Sequence, residues 1–217
     1  MENKMKIQRF VFSPINENTY VLISDSRDCA IIDCGCYDSS ENTELEAFIS
    51  ENKLNPVLLL NTHCHLDHIF GNGFILERYG LRTLSHVQEE YNRKKAPEHA
   101  LLFGLTMNES PEPERFISDN EVIEFADLKL KALHVPGHTA GSLAFYCEQE
   151  EVVFTGDALF PGSIGRTDLY GGDYETLISS IKNRLFTLPE ETKVLAGHGG
   201  ETTIGRELKT NPWFNMT

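Results

Sequence analysis

The stretch from Asn61 to Gly73, Asn-Thr-His-Cys-His-Leu-Asp-His-Ile-Phe-Gly-Asn-Gly, constrains this chain most, because no other segment sets so many metal-ligand side chains so close together. It carries His63, His65, Asp67 and His68. Val57-Leu-Leu-Leu60 precedes it, a short apolar run between Pro56 and Asn61, and such a run reads as a buried strand. The ligand candidates therefore leave a strand end. Side chains at i and i+2 of an extended segment point the same way, so His63 and His65 can share one ion. Asp67 and His68 fall where the chain must turn, and the apolar spacing from Ile69 to Tyr79 predicts a helix. This second pair can aim at a neighbouring position. Spacing alone leaves open whether the site takes one ion or two.

A structural zinc site closes with four protein ligands, often cysteines, whereas a catalytic site keeps a position for water. Three later segments can complete an open site: His134-Val-Pro-Gly-His-Thr-Ala-Gly-Ser142, Phe154-Thr-Gly-Asp157 and Leu195-Ala-Gly-His-Gly-Gly200. In each, the ligand candidate (His138, Asp157 or His198) follows a glycine. Most of the ligand groups come just after a β-like run, which gathers them at one edge of a sheet. A polar loop capping a helix through Asp67 would also account for part of the first stretch, but a cap does not require three neighbouring histidines.

In this order the residues resemble the metallo-β-lactamase superfamily, with a His-x-His-x-Asp-His motif followed by separate His, Asp and His positions. The resemblance runs over nearly the whole chain and implies a four-layer αββα sandwich. It implies that His63, His65 and His138 hold a first ion, that Asp67, His68 and His198 hold a second, and that Asp157 bridges the two. It also implies that Asp33, which ends a strand before Cys34-Gly35-Cys36, supports the metal site from behind; a turn-forming Asp is the alternative. The metals it implies are two divalent ions, zinc first, with iron or manganese able to use the same donors.

A chain of 217 residues fits one domain with a core that needs no staples. Basic residues number 19 against 33 acidic ones, a net charge of -14, which disfavours nucleic acid or an anionic membrane as partner. The chain shows neither an apolar run long enough to span a bilayer nor a leader of the secretory kind, so a cytoplasmic location is expected. Five cysteines, Cys29, Cys34, Cys36, Cys64 and Cys147, sit mostly in apolar runs and suit a reducing compartment better than a disulfide framework. Cys34-x-Cys36 is a weak redox or metal signal, and buried thiols are usually inert.

Along the chain, Lys6 to Phe12 and Thr19 to Ser24 read as paired strands joined by a turn at Pro14-Ile15-Asn16, with Cys29 to Asp33 as a third. Ser39 to Ile49 reads as a helix with acidic residues in its first turn. Gly80 to Ser85 reads as a strand and His86 to Lys95 as a helix. From Ala96 to Asp119 the pattern fades around Pro97, Pro111 and Pro113, and so long an irregular segment suggests a lid over a cleft. Glu121 to Phe125, Leu128 to Val135, Leu143 to Cys147, Val152 to Thr155 and Val194 to Ala196 read as strands, Tyr174 to Phe186 as a helix, and the end as a short helix with Trp213 and Phe214 as packing anchors. Composition and element order alone give α/β.

Two ions able to share a hydroxide make hydrolysis the natural reaction, and a thioester suits it, since an alkyl thiolate with a pKa of about 8.5 leaves without much help. Asp67 is placed to orient the attacking oxygen while ligating. The segment Asp157 to Leu169 is similar to the loop after the bridging Asp in hydroxyacylglutathione hydrolases (glyoxalase II), where a basic residue at the position of Arg166 contacts a glutathione carboxylate. An ion pair of Arg166 with Asp168 or Asp173 is the structural alternative. Asp168 stands where that family carries a Tyr, and the chain stops before that family's helical C-terminal domain. The expected partner is therefore a small-molecule thioester, with the thiol carrier and the oligomeric state open. The runner-up is a mononuclear-iron persulfide dioxygenase, which Asn61 to His65, Gly165 to Asp168 and Phe186 to Pro189 also resemble. A third reading is a binding module that keeps the fold without activity. β-Lactam hydrolysis fits less well in the absence of an export signal. Of the remaining histidines, His134 reads first as an ordinary polar residue, with support of His138 as the alternative, while His86 and His99 read as surface residues.

Overall fold

Period-two alternation along the strands, with both faces apolar, dictates the architecture seen in the computed structural model, which describes residues 5–214. In Tyr20-Val21-Leu22, Cys29-Ala30-Ile31-Ile32 and Leu58-Leu59-Leu60, alternate side chains enter two different apolar clusters. A strand buried on both faces must lie in a middle layer. The first half of the chain forms β1 (Lys6–Phe12), β2 (Glu17–Ile23), β3 (Asp28–Ile32), β4 (Asn55–Leu60), β5 (Thr83–Ser85) and β6 (Arg115–Phe116), hydrogen-bonded in that order. The pairs β1–β2 and β2–β3 are antiparallel, and β3 through β6 run parallel.

The second half contributes β7 (Val122–Phe125), β8 (Leu128–His134), β9 (Leu143–Cys147), β10 (Val152–Gly156), a small hairpin of β11 (Leu159–Phe160) and β12 (Ser163–Ile164), then β13 (Lys193–Ala196) and β14 (Glu201–Thr203). Its sheet runs β14-β13-β10-β9-β8-β7. Tyr20, Leu22, Ile32 and Leu60 of the first sheet share one core with Leu130, Leu143, Phe145 and Phe154 of the second, so the sheets pack face to face. Helices α1 (Ser39–Glu51) and α3 (Asn72–Tyr79) cover the outer face of the first sheet through Leu45, Ile49 and Ile75. Helices α5 (Tyr174–Ser180) and α6 (Ile204–Thr210) cover the second through Leu177 and Ile204. The αββα sandwich follows.

Asp38 caps α1 by accepting from the amides of Ser40 and Glu41. Two further helices, the four-residue α2 (Leu66–Ile69) and the 13-residue α4 (Glu90–Leu102), follow β4 and β5 in the chain. The parallel strands place their C-terminal ends on one rim, the edge where α/β sheets bind ligands.

Several boundaries differ from the sequence reading. The irregular segment expected from Ala96 begins seven residues later, because α4 continues to Leu102 through Pro97. Asn92, Arg93, Ala96 and Ala100 bury one face of α4, and that packing outweighs the single helical bond Pro97 cannot donate. Leu101 and Leu102 are exposed, which hid the helical period. The strand read from Gly80 starts at Thr83, the helix read at His86 begins as a 3-10 turn over Val87–Glu89, and the helix read to Phe186 widens to a π turn over Ile181–Leu185. Strands β6, β11, β12 and β14 are too short to show a period. Phe214 does pack against the outer core, with its ring 4.8 Å from Phe186, whereas Trp213 remains exposed.

Candidate metal centre

All seven ligand candidates meet at the rim. His63 and His65 follow β4, with His65 extended at the N-cap of α2, while Asp67 and His68 occupy the first turn of α2. His138 lies in the β8–β9 loop, Asp157 directly follows β10, and His198 follows β13. His138 Nε2 lies 2.9 Å from His65 Nδ1 and 3.2 Å from His63 Nε2. His198 Nε2 lies 3.1 Å from Asp67 Oδ2, and His68 Nε2 is 3.7 Å from the same oxygen. Asp157 spans the two groups: its Oδ1 is 3.4 Å from His68 Nε2, and its Oδ2 is 3.6 Å from His198 Nε2 and 3.7 Å from His138 Nε2. Donors at about 2.0–2.1 Å from a tetrahedral ion stand about 3.3 Å apart, so these separations match ligand sets.

The outward ring nitrogens fix which nitrogen faces inward. His138 Nδ1 meets the Arg166 carbonyl at 2.8 Å, and His198 Nδ1 meets the Asn16 carbonyl at 3.0 Å. A carbonyl only accepts, so both Nδ1 atoms carry the proton and both Nε2 atoms offer a lone pair. Thr62 spends its hydroxyl hydrogen on Asp33 Oδ2 at 2.7 Å, which leaves its oxygen to accept from His63 Nδ1 at 3.1 Å. Asp33 Oδ2 likewise accepts from His68 Nδ1 at 2.9 Å. Four imidazoles thus turn Nε2 inward, ready to ligate once any proton there is displaced. His68 Nε2 and Asp157 Oδ1 are buried without a hydrogen-bond partner. Lone pairs converging on one another repel, and a divalent cation is the group that fits them.

The profile of the Metallo-beta-lactamase superfamily matches residues 13–198. The chain belongs to the metallo-β-lactamase superfamily. The hydroxyacylglutathione hydrolase GloC of Haemophilus influenzae is 38% identical over 213 residues, covering 97% of this chain and 99% of that protein. Among solved structures, a B3 metallo-β-lactamase, BLEG-1, is 32% identical with a TM-score of 0.90, over 97% of this chain and 100% of its own. TTHA1623, solved in a di-iron-bound form, is 35% identical with a TM-score of 0.85, over 95% and 99% of the two chains. A metal-dependent hydrolase with a His and Asp centre follows from membership.

In this superfamily member, charge divides between the two ligand groups. Burial, and then the neighbouring imidazoles, push His63 well below the usual histidine range and His65 down to about 3. Burial also opposes charge on His68, but Asp157, Asp33 and Asp67 carry it well above the usual range. Against the same burial penalty, the surrounding histidines hold Asp67 and Asp157 low. Without metal, His63 and His65 are therefore neutral and the second group is a histidine–carboxylate cluster. Cations relieve the excess of carboxylate at the second position.

The loops approach closely because glycines let them. A Cβ on Gly197 would fall 2.2 Å from Asp157 Oδ1 and 2.6 Å from His68 Cε1, so only glycine admits His198 to this rim.

Glu89 escaped the sequence reading. It is buried, and its Oε2 accepts from the Cys64 amide at 2.8 Å and from Asn92 at 3.2 Å. Its Oε1 accepts from the Thr139 hydroxyl at 2.6 Å and the Gly141 amide at 2.9 Å. One carboxylate thus ties the His63–His65 segment to the His138 loop. Its only sequence signal was an acidic residue at the start of a helix, which ordinary capping explains.

Asp33, besides its bond from His68, also accepts from the Thr62 amide at 2.8 Å. Arg166 forms a two-pronged ion pair with exposed Asp168, at 2.7 and 2.8 Å. His134 donates toward the Ala140 carbonyl at 2.9 Å and stacks on His86, so it braces the His138 loop rather than the ligand. His86 is half-buried by this stack rather than free on the surface. The five cysteines are buried and unpaired, and the hydrogen bond to Cys34, followed by burial, drives the Cys36 thiol far upward, which makes it inert. Among the described residues no helix is long and apolar enough to cross a membrane.

Proposed function

We propose that this protein is a cytoplasmic thioester hydrolase similar to hydroxyacylglutathione hydrolases, acting through a binuclear centre, most naturally of zinc. His63, His65 and His138 would hold one ion and Asp67, His68 and His198 the other, with Asp157 shared. Its substrate would be a small-molecule thioester, with neither nucleic acid nor membrane as partner, in keeping with the net charge of -14. The observation that carries the reading is the pair of donor sets on either side of Asp157, their lone pairs turned inward by outward hydrogen bonds.

Divalent ions at such donors supply Lewis acidity and draw the pKa of a ligating water toward neutrality. The chain's own residues do the rest. Asp67, whose Oδ2 lies 3.1 Å from His198 Nε2, would orient the attacking water by accepting a hydrogen bond from it. Asp33 and Thr62 keep His68 and His63 in the tautomers that bind. No general acid is required, since a thiolate is a good leaving group. A substrate carboxylate would take the place of Asp168 on the Arg166 guanidinium, which already presents the geometry for a two-pronged bond.

A mononuclear-iron persulfide dioxygenase is the second reading; the iron of TTHA1623 supports that choice of metal but is held there as a pair, and the equally assembled second donor set supports the hydrolase over it. The complete donor set likewise weighs against an inactive binding module. Elemental analysis of protein purified without added metal, with assays on S-lactoylglutathione, glutathione persulfide and a cephalosporin, tests all of these. Two zinc ions with thioester turnover are expected. One iron with oxygen consumption on the persulfide, or cephalosporin cleavage alone, would overturn the proposal.

A further inference from the structure

A shallow groove of about 550 Å3 opens against His198. Ile15, on the turn between β1 and β2, forms one wall, and Phe160, at the end of β11, forms the other, its ring 6.3 Å from that of His198. Pro161, Ser163, Gly199 and Gly200 complete it, and no Lys, Arg, Asp or Glu lines it, although Arg9 donates to the Gly199 carbonyl at 2.9 Å from outside the lining. The walls are half-buried apolar side chains that keep a wet face, and a wet apolar face beside a reacting centre gains free energy when another apolar group covers it.

The opposite flank is polar. Asp157 Oδ2 is nearly equidistant from His138 and His198, and His138 is backed by Arg166, whose guanidinium pairs with Asp168. The hairpin of β11 and β12 connects the two flanks, running from Asp157 through Phe160 to Arg166. One side of the centre therefore offers a guanidinium and the other a mostly apolar groove with no carboxylate in its lining.

We propose that the His198 groove receives the acyl chain of the substrate and selects aliphatic acyl groups. This rests on the thioesterase reading and deepens it. A charged thiol carrier finds no partner in the groove and finds one at Arg166, so the thioester lies across the centre with its acyl end toward Ile15 and Phe160. Chain length is read there, since each methylene covers more of the two walls.

Gly200 offers a direct test. A Cβ built on it meets nothing within 4 Å, and its backbone is outside the left-handed region, so Gly200→Leu places bulk at the groove without backbone strain. Because product carboxylates carry the same acyl chain, titration calorimetry of acetate, butyrate and hexanoate into the protein as purified with its metal reads the groove independently of turnover. Affinity should rise about two- to threefold per methylene, somewhat less than complete burial gives. The rise should flatten in Phe160→Ala and again in Gly200→Leu, with circular dichroism confirming that both fold. A flat response in the unaltered protein, or an unchanged slope in both variants, would overturn the groove assignment. Acetyl-, butyryl- and hexanoylglutathione are assayed in parallel. Failure to cleave any of them sinks the thioesterase reading, while the carboxylate series still decides the groove.

Discussion

Glu89 accepts a 2.6 Å hydrogen bond from the hydroxyl of Thr139, fifty positions away in the chain. The same carboxylate holds the Cys64 amide, so two segments with no local reason to meet are fastened at the first ligand set. Every atom that faces it is a donor, a demand that a carboxylate meets and an amide cannot. Glu89→Gln should leave buried donors facing a donor, costing about 1–3 kcal/mol of stability. It should also weaken the first metal position about tenfold relative to the second. Denaturant unfolding and zinc titration against a chromophoric chelator check the two effects.

Asp33 acts on the other set. It accepts from His68 Nδ1 and from both the amide and hydroxyl of Thr62. Asp33→Asn can turn an N–H toward the imidazole and favour the wrong tautomer of His68. Affinity at the second position should fall about 10- to 100-fold, with the first position less affected. Stepwise metal titration followed by elemental analysis distinguishes the two.

Removal of metal should destabilise the whole protein, because buried His68 Nε2 and Asp157 Oδ1 then face only each other, 3.4 Å apart and without a hydrogen bond among the described residues. Chelator-treated protein should unfold at lower temperature than the loaded form. Restoring zinc to a free concentration about a hundredfold above its dissociation constant should return about 2.7 kcal/mol. An unchanged thermal midpoint would show that the donors do not hold a metal that matters to the fold.

The segment after α4 is fastened rather than hanging free. Arg93 is buried and donates to the Ser110 carbonyl at 2.5 Å, to Glu109 at 3.3 Å and to Glu90 at 2.8 Å, while Leu105 and Met107 lie against Leu66 and Ile69 of the ligand helix. Arg93→Met should cost about 1–3 kcal/mol, since it leaves the buried Ser110 carbonyl without its donor, and should raise amide exchange across residues 103–114. The Arg93 hydrogen bond holds the Glu90 carboxyl below its usual range. Its contribution is therefore complete above the ordinary glutamate pKa and is lost as pH falls through the lowered one. Exchange in this segment should rise below about pH 4, and less so in Arg93→Met.

Much of this was written locally. Seven candidate ligands, their order and the strand before the first four are chemical facts of short segments, as is the two-faced alternation in Tyr20 to Leu22 or Ile31 and Ile32 that demands a middle layer. Local pattern failed where the reason was distant. Pro97 argued for the end of a helix, yet the burial of Ala96 and Ala100 carried α4 past it. Glu89 looked like an ordinary acidic residue at a helix start until the fold set the His138 loop against it. Arg166 was compatible with substrate or ion pair, and only the folded loop placed Asp168 across its guanidinium. Donor identity is a property of single residues and can be read along a line. Which donor meets which acceptor depends on segments brought together by burying apolar faces, and that information exists only once the chain has closed on itself.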